Sequence, residues 1–144
     1  MIGLIACCSR KLRTPARARD LYQSPLFRLS RTYVEQRCEQ WVILSAKHGL
    51  VFPDEVVEPY DQALADLDRL AWVAWCLSTR QQIVDRLDTQ GPFLVLAGAR
   101  YQGAVTDLPV VDPLQGLPIG KQLAFLKQAV QMHRSSRRGL GLLS

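Results

Sequence analysis

Four short apolar runs punctuate the chain: Ile2 to Cys7, Trp41 to Ser45, Phe93 to Ala97, and Pro109 to Asp112. Runs of this length predict strands buried on both faces. Between them the apolar positions recur at helical spacing. Ser24-Pro25 reads as an N-cap residue followed by proline at the first helical position, leading into Leu26, Phe27, Leu29 and Tyr33. A longer helix is predicted from about Leu64 to Leu87, with a stripe of Leu67, Leu70, Ala71, Ala74, Leu77 and Val84 and with Trp72 and Trp75 as packing residues. A short helix is expected after Gly98 and a last one from about Gly120 to His133, carrying Leu123, Leu126, Lys127 and Val130. Strands and helices alternate, which predicts a single α/β domain of three layers, a mostly parallel four-stranded sheet between helices with right-handed crossovers. The domain is expected over residues 1–134, with a basic, flexible tail over residues 135–144.

A length of 144 residues fits one domain and one principal site. With 48% hydrophobic and 22% charged residues, the chain is neither a disordered tail nor a collagen-like rod. No run approaches the ~20 apolar residues of a membrane span, so no membrane partner is expected. Cys7, Cys8, Cys38 and Cys76 form no CxxC pair and no Cys/His cluster at zinc spacing. Neither a metal nor a cofactor is therefore expected. The run Ile2 to Ala6 is too short for a secretory leader, and the expectation is a reduced, cytoplasmic protein.

The formal charge of +5 is unevenly spread. Residues 1–37 hold eight Lys/Arg and two acids, residues 38–112 hold five and eleven, and residues 113–144 hold five and none. Two basic ends around an acidic middle can fold into one basic face that attracts an anionic partner. Solvated arginines without a partner are the alternative.

Parallel sheets bind ligands beyond the carboxyl ends of their strands. The segments there carry Cys8-Ser9-Arg10-Lys11 and then Tyr22 and Ser24; Ser45-Ala46-Lys47-His48-Gly49 and then Glu58-Pro59-Tyr60-Asp61; Gly98-Ala99-Arg100-Tyr101-Gln102-Gly103; and Asp112. Each has a plainer explanation. Ser9 to Lys11 can be an ordinary polar turn, His48 a surface residue, and Asp61 a helix-start acid. The glycines at 98 and 103 lack the Lys-Ser/Thr of a nucleoside-triphosphate loop, leaving only anion-binding amides. Lys47 should depress the His48 pKa and keep its imidazole neutral. Tyr22, Tyr60 and Tyr101 offer stacking surfaces if they line one cleft.

Cys7 to Lys11, Arg19 to Phe27, Ser45 to Leu50, Glu58 to Asp61 and Gly116 to Leu126 together resemble a bacterial family of uncharacterised domains, over nearly the whole chain. More distantly, Cys8 to Lys11 with Tyr22 and Ser24 is similar to a pattern in the core domain of archaeosine synthase, a tRNA deazaguanine-modifying enzyme. The YaaA-like peroxide-stress proteins, which bind DNA, look like other distant relatives. The resemblance implies action on a nucleobase within nucleic acid, a sheet of the uracil-DNA-glycosylase type, and Lys11 as a candidate reactive lysine. The expected function is a base-processing enzyme, an N-glycosidase or a base-modifying one, with DNA favoured over RNA. A non-catalytic nucleic-acid or nucleotide-binding module and a small-molecule nucleoside or nucleotide enzyme are the alternatives. In the enzyme, Asp61 would activate water or stabilise the oxocarbenium ion, and His48 or Lys47 would stabilise the departing base. Lys11 is an alternative amine nucleophile. Tyr22 or Tyr60 would stack on the base, while Ser9, Lys11, Arg100 and the amides after Gly98 would hold phosphate. Cys8, Ser24, Ser45, Gly49 and Tyr101 complete the expected substrate-binding set.

Overall fold

The computed structural model describes residues 1–143, with side chains through Arg138. The elements are β1 (Ile2–Ala6), β2 (Ala16–Arg17), α1 (Ala18–Leu21), α2 (Pro25–Arg37), β3 (Gln40–Ser45), β4 (Gly49–Val51), β5 (Val56–Val57), a 3₁₀ turn (Leu64–Asp66), α3 (Arg69–Arg86), β6 (Phe93–Leu96), α4 (Ala99–Gln102), β7 (Val110–Val111) and α5 (Ile119–Leu143). The main sheet runs in the order β4-β3-β1-β6-β7, parallel throughout except for β4, which pairs antiparallel with β3. A two-stranded sheet, β2 with β5, stands apart. The four predicted strands form the parallel set, and the expected count of four is corrected to five. The turn at residues 46–48 folds Gly49–Val51 straight back onto β3, and Gly49 takes φ +75° there, a conformation suited to glycine.

Both faces of the sheet are covered, which is why the strands read as unbroken apolar runs. Leu4, Val42, Leu44, Phe93 and Val95 pack with Ile83 and Leu87 from the α3 side. Ile5, Ile43, Leu94 and Leu96 pack with Tyr33 and Val34 of α2 and Leu126 and Val130 of α5. Gly3 lets β1 and α2 approach closely, since a Cβ there would come within 2.7 Å of Val34 Cγ1.

Side-chain caps set the helix starts. Ser24 Oγ accepts from Phe27 N at 3.1 Å ahead of Pro25, and Asp68 Oδ1 accepts from Ala71 N at 2.8 Å. The helix expected from Leu64 therefore begins at Arg69. Its buried face is also corrected. Trp75, Cys76, Thr79 and Ile83 point inward, whereas Leu70 is 82% and Leu77 67% exposed. The last helix does not stop near His133; α5 continues to Leu143 through most of the stretch read as a flexible tail, and Ser144 lies outside the described residues. No helix among the described residues is long and apolar enough to cross a membrane.

From β1 the chain crosses to β3 on one side, then returns to β6 on the other. The crevice beyond the carboxyl ends of β1 and β6 is thus the point where the winding reverses, the place where such sheets take ligands.

Candidate functional site

A cavity of about 100 Å³ occupies that crevice. Cys7 and Cys8 follow β1, Ala97 and Gly98 follow β6, and Asp112 follows β7, while Ser24, Phe27 and Ser30 come from the start of α2 and Gln122 from α5. Asp112 is held on both oxygens. Its Oδ1 accepts from Leu114 N at 3.0 Å and its Oδ2 from Gln102 Nε2 at 2.8 Å. The same Gln102 nitrogen donates to Ala97 O at 2.9 Å and so ties the ends of β6 and β7 together.

Beside the cavity a hydrogen-bonded chain joins the ends of β1 and β3. Buried Ser45 Oγ accepts from the amides of Lys47 (3.3 Å) and His48 (3.1 Å). With both lone pairs engaged, its hydroxyl donates to Tyr60 Oη at 2.7 Å, and Tyr60 in turn donates to Tyr22 Oη at 2.7 Å. Burial pushes the Tyr22 phenol up to about 12 and also raises Tyr60 and Tyr101, so all three remain neutral donors at neutral pH. Tyr101 Oη lies 3.3 Å from Cys7 Sγ, which also accepts from Ala46 N at 3.3 Å. Trp75 closes the group from α3: its indole donates to Ser45 O at 3.0 Å and its ring meets Tyr101 edge-on.

Three cationic or basic side chains gather on Tyr60. Lys11 Nζ sits 4.2 Å and Lys47 Nζ 6.0 Å from the ring centre, and the His48 ring packs perpendicular to it at 5.3 Å. Lys11 arrives there because backbone bonds from Leu12 N to Leu21 O and from Gln23 N to Arg10 O clamp the loop after β1 to the segment around Tyr22. Burial first, then the Lys47 charge, lower the His48 pKa, with Glu55 opposing them. The unfolded chain therefore binds a proton at His48 more readily than the folded one. Stability contributed by neutral His48 is present above the ordinary value of about 6.5 and is lost as pH falls through it. Urea midpoints measured from about pH 7.5 to 5 should fall less steeply in His48→Gln than in the parent. Identical slopes would show that His48 titrates alike in both states.

The sequence-derived residues thus divide. Cys8, Ser24 and Gly98 line the cavity, and Tyr22, Ser45, Tyr60, Tyr101, Lys11, Lys47 and His48 surround the phenol chain beside it. Ser9 is exposed on the loop, where its carbonyl accepts from Lys11 Nζ at 3.5 Å. Gly49 serves the hairpin, where a Cβ would collide with Gln82 Oε1. Asp61 is exposed and outside the cavity lining. Arg100 is spent elsewhere, donating to Leu67 O at 3.0 Å and lying over Trp72. Cys7, Ser30 and Gln122 line the cavity although the sequence-derived site does not include them, and Asp112, which enters that reading only as a strand end, lines it as well. Among the described residues no three His, Cys, Asp or Glu side chains gather as a metal site.

Comparison with known proteins gives no solved structure that matches. The uncharacterized protein YfjM of Bacillus subtilis (strain 168) is 46% identical over 43 residues, which is 30% of this chain and 29% of that protein's length. Over residues 2–128 the chain matches the family of unknown function DUF6884, and it belongs to that family.

Proposed function

We propose that this protein acts on a nucleobase within nucleic acid, as an N-glycosidase-like or base-modifying enzyme, with DNA favoured over RNA. The observation that carries the reading is the cavity at the reversal of the sheet, which combines a fixed carboxylate, hydroxyls and an aromatic ring. Two residues beyond the cavity-lining Cys8 begins a cationic loop, Arg10, Lys11 and Arg13. An extruded base would enter the cavity while that loop holds its phosphates. Cleaving an N-glycosidic bond develops positive charge on the sugar, and a carboxylate at the strand ends would stabilise it. Asp112, in the cavity, suits that task better than the exposed Asp61. The distant resemblance of Cys8 to Lys11, Tyr22 and Ser24 to a pattern in archaeosine synthase, and the more general one of the chain to the YaaA-like proteins, supports the same reading.

Purified protein incubated with DNA and RNA carrying modified or mismatched bases should release base or leave an altered base. Binding should weaken with salt, at a slope of about −3 in log K against log salt if each of the three loop cations neutralises one phosphate. Salt-dependent binding without turnover on any substrate would make the protein a binding module. Equal affinity for mononucleotides and oligonucleotides would instead make it a small-molecule enzyme.

A further inference from the structure

We propose that the outer face of α3 is a self-association surface, on which two copies of this chain pair their α3 helices side by side and parallel. Helix α3 turns Trp75, Cys76, Thr79 and Ile83 toward the fold. On its opposite side Leu70 is 82%, Leu77 67% and Val84 47% exposed, each seven residues from the next. Exposed Ala74 and Gln81 fall between them, so the stripe advances by alternate steps of four and three, the seam along which two helices interlock. Single exposed apolar side chains are ordinary on a protein surface, whereas a continuous stripe of them marks a contact. None of these residues lines the strand-end cavity.

The charges beside the seam select both the occupant and its direction. Arg80 flanks the stripe on one side and Asp85 on the other. In a parallel pair with a two-fold axis along the helices, each flank meets the opposite flank of the other helix, and a residue faces the one five positions further on. Arg80 then faces Asp85 of the second copy, and symmetry forms that pair twice. In an antiparallel pair each flank meets its like; the Arg80 flank also carries Arg69 and the Asp85 flank carries no cation, so no opposite charges meet. Both groups are available. Arg80 reaches Asp107 at 3.4 Å in a contact open to solvent, and Asp85 Oδ1 accepts from Gln81 Nε2 at 2.8 Å. A membrane surface or a plain apolar partner would leave this alternation of charge unused.

Size sets the strength. The 18 residues of α3 span about 27 Å and a helix face is about 10 Å wide, so the contact falls short of the roughly 1,200 Å² at which standard interfaces begin. Packing on the sheet already orders the helices, so pairing does not carry the cost of forming them. The expected product is a weak, reversible dimer with a dissociation constant on the order of 10–100 µM.

Sedimentation equilibrium of the full chain from about 5 to 500 µM tests this. The mass should climb from 16.2 kDa toward twice that value as concentration rises. Leu77→Glu should bring association below detection, because it sets two carboxylates face to face across the axis, while the thermal midpoint stays near the parent's, since the position is exposed and glutamate favours a helix. Arg80→Glu and Asp85→Arg should each weaken association severalfold, and the two combined should recover it. Leu70→Cys gives a reading without altered charge: under mild oxidation it should cross-link to its own counterpart, which a parallel seam sets opposite and an antiparallel one sets at the far end. A mass that stays at 16.2 kDa throughout, a dimer that survives Leu77→Glu in folded protein, a double charge variant no better than the single ones, or a Leu70→Cys protein that fails to cross-link overturns the proposal.

Discussion

Asp112→Asn is expected to lower base-processing turnover by about 10²–10⁴-fold, the scale on which a positioned acid or base group contributes. The carboxylate follows β7 at the cavity wall and receives one donor on each oxygen, Leu114 N and Gln102 Nε2. An asparagine keeps the shape but offers only one acceptor oxygen, so one of those donors would face an NH₂ group. Gln102 can turn its amide over to meet the new donor, but then Ala97 O loses the bond that joins β6 to β7. The variant thus loses the charge and loosens the wall that carries it. Single-turnover assays should show the fall in the chemical step with substrate affinity changed far less. A parent-like rate would remove Asp112 from the chemistry. Asp61→Ala provides the contrast and should stay within a few-fold of the parent.

Trp75→Ala should destabilise the fold by about 3–5 kcal/mol, as large-to-small changes at buried aromatic positions do. Trp75 is 8% exposed and packs with Ala46, Leu64, Cys76 and Ala104 in a small cluster between α3 and the strand ends. Truncation leaves a cavity there, removes the edge-on contact with Tyr101, and strips Ser45 O of its donor. Since a domain of this kind has only about 5–15 kcal/mol in hand, the loss is a large share of the whole. Urea unfolding should give a lower midpoint at an unchanged slope, and Trp75→Phe should recover part of the difference by refilling volume without restoring the indole bond. A midpoint within experimental error of the parent would show that the cluster does not support the site.

The strands were legible because burial on both faces leaves uninterrupted apolar runs. β4 was not, since Gly49–Val51 is too short to show a period and its antiparallel pairing depends on the turn before it. On α3 the sequence carries two apolar stripes, one through Leu70, Leu77 and Val84 and one through Trp75, Cys76 and Ile83. Periodicity alone cannot choose between them. The choice is made by tertiary contacts, with Trp75 reaching Ser45 and Gln82 Oε1 accepting from Leu50 N. The strand-end rule pointed to Cys8, Ser24 and Gly98 in advance. Cys7 was hidden as the last apolar residue of its strand, and Ser30 as a polar position on a helix. Each meets the cavity only once α2 is laid across β1. Arg100 misled because a guanidinium near a glycine turn suits phosphate as well as it suits Leu67 O and the Trp72 ring.

Ser30→Leu tests most directly whether a base enters the cavity, because leucine favours a helix and its larger side chain would fill the space behind Cys7 and Asp112. Binding is measured at one salt concentration to a fully paired duplex and to the same duplex carrying one mismatched, easily extruded pyrimidine. The parent should prefer the mismatched duplex by at least about tenfold, or roughly 1.4 kcal/mol, while Ser30→Leu keeps the salt-dependent affinity for both duplexes and loses the preference. A Ser30→Leu protein that folds and still discriminates as the parent does would show that no base occupies the cavity.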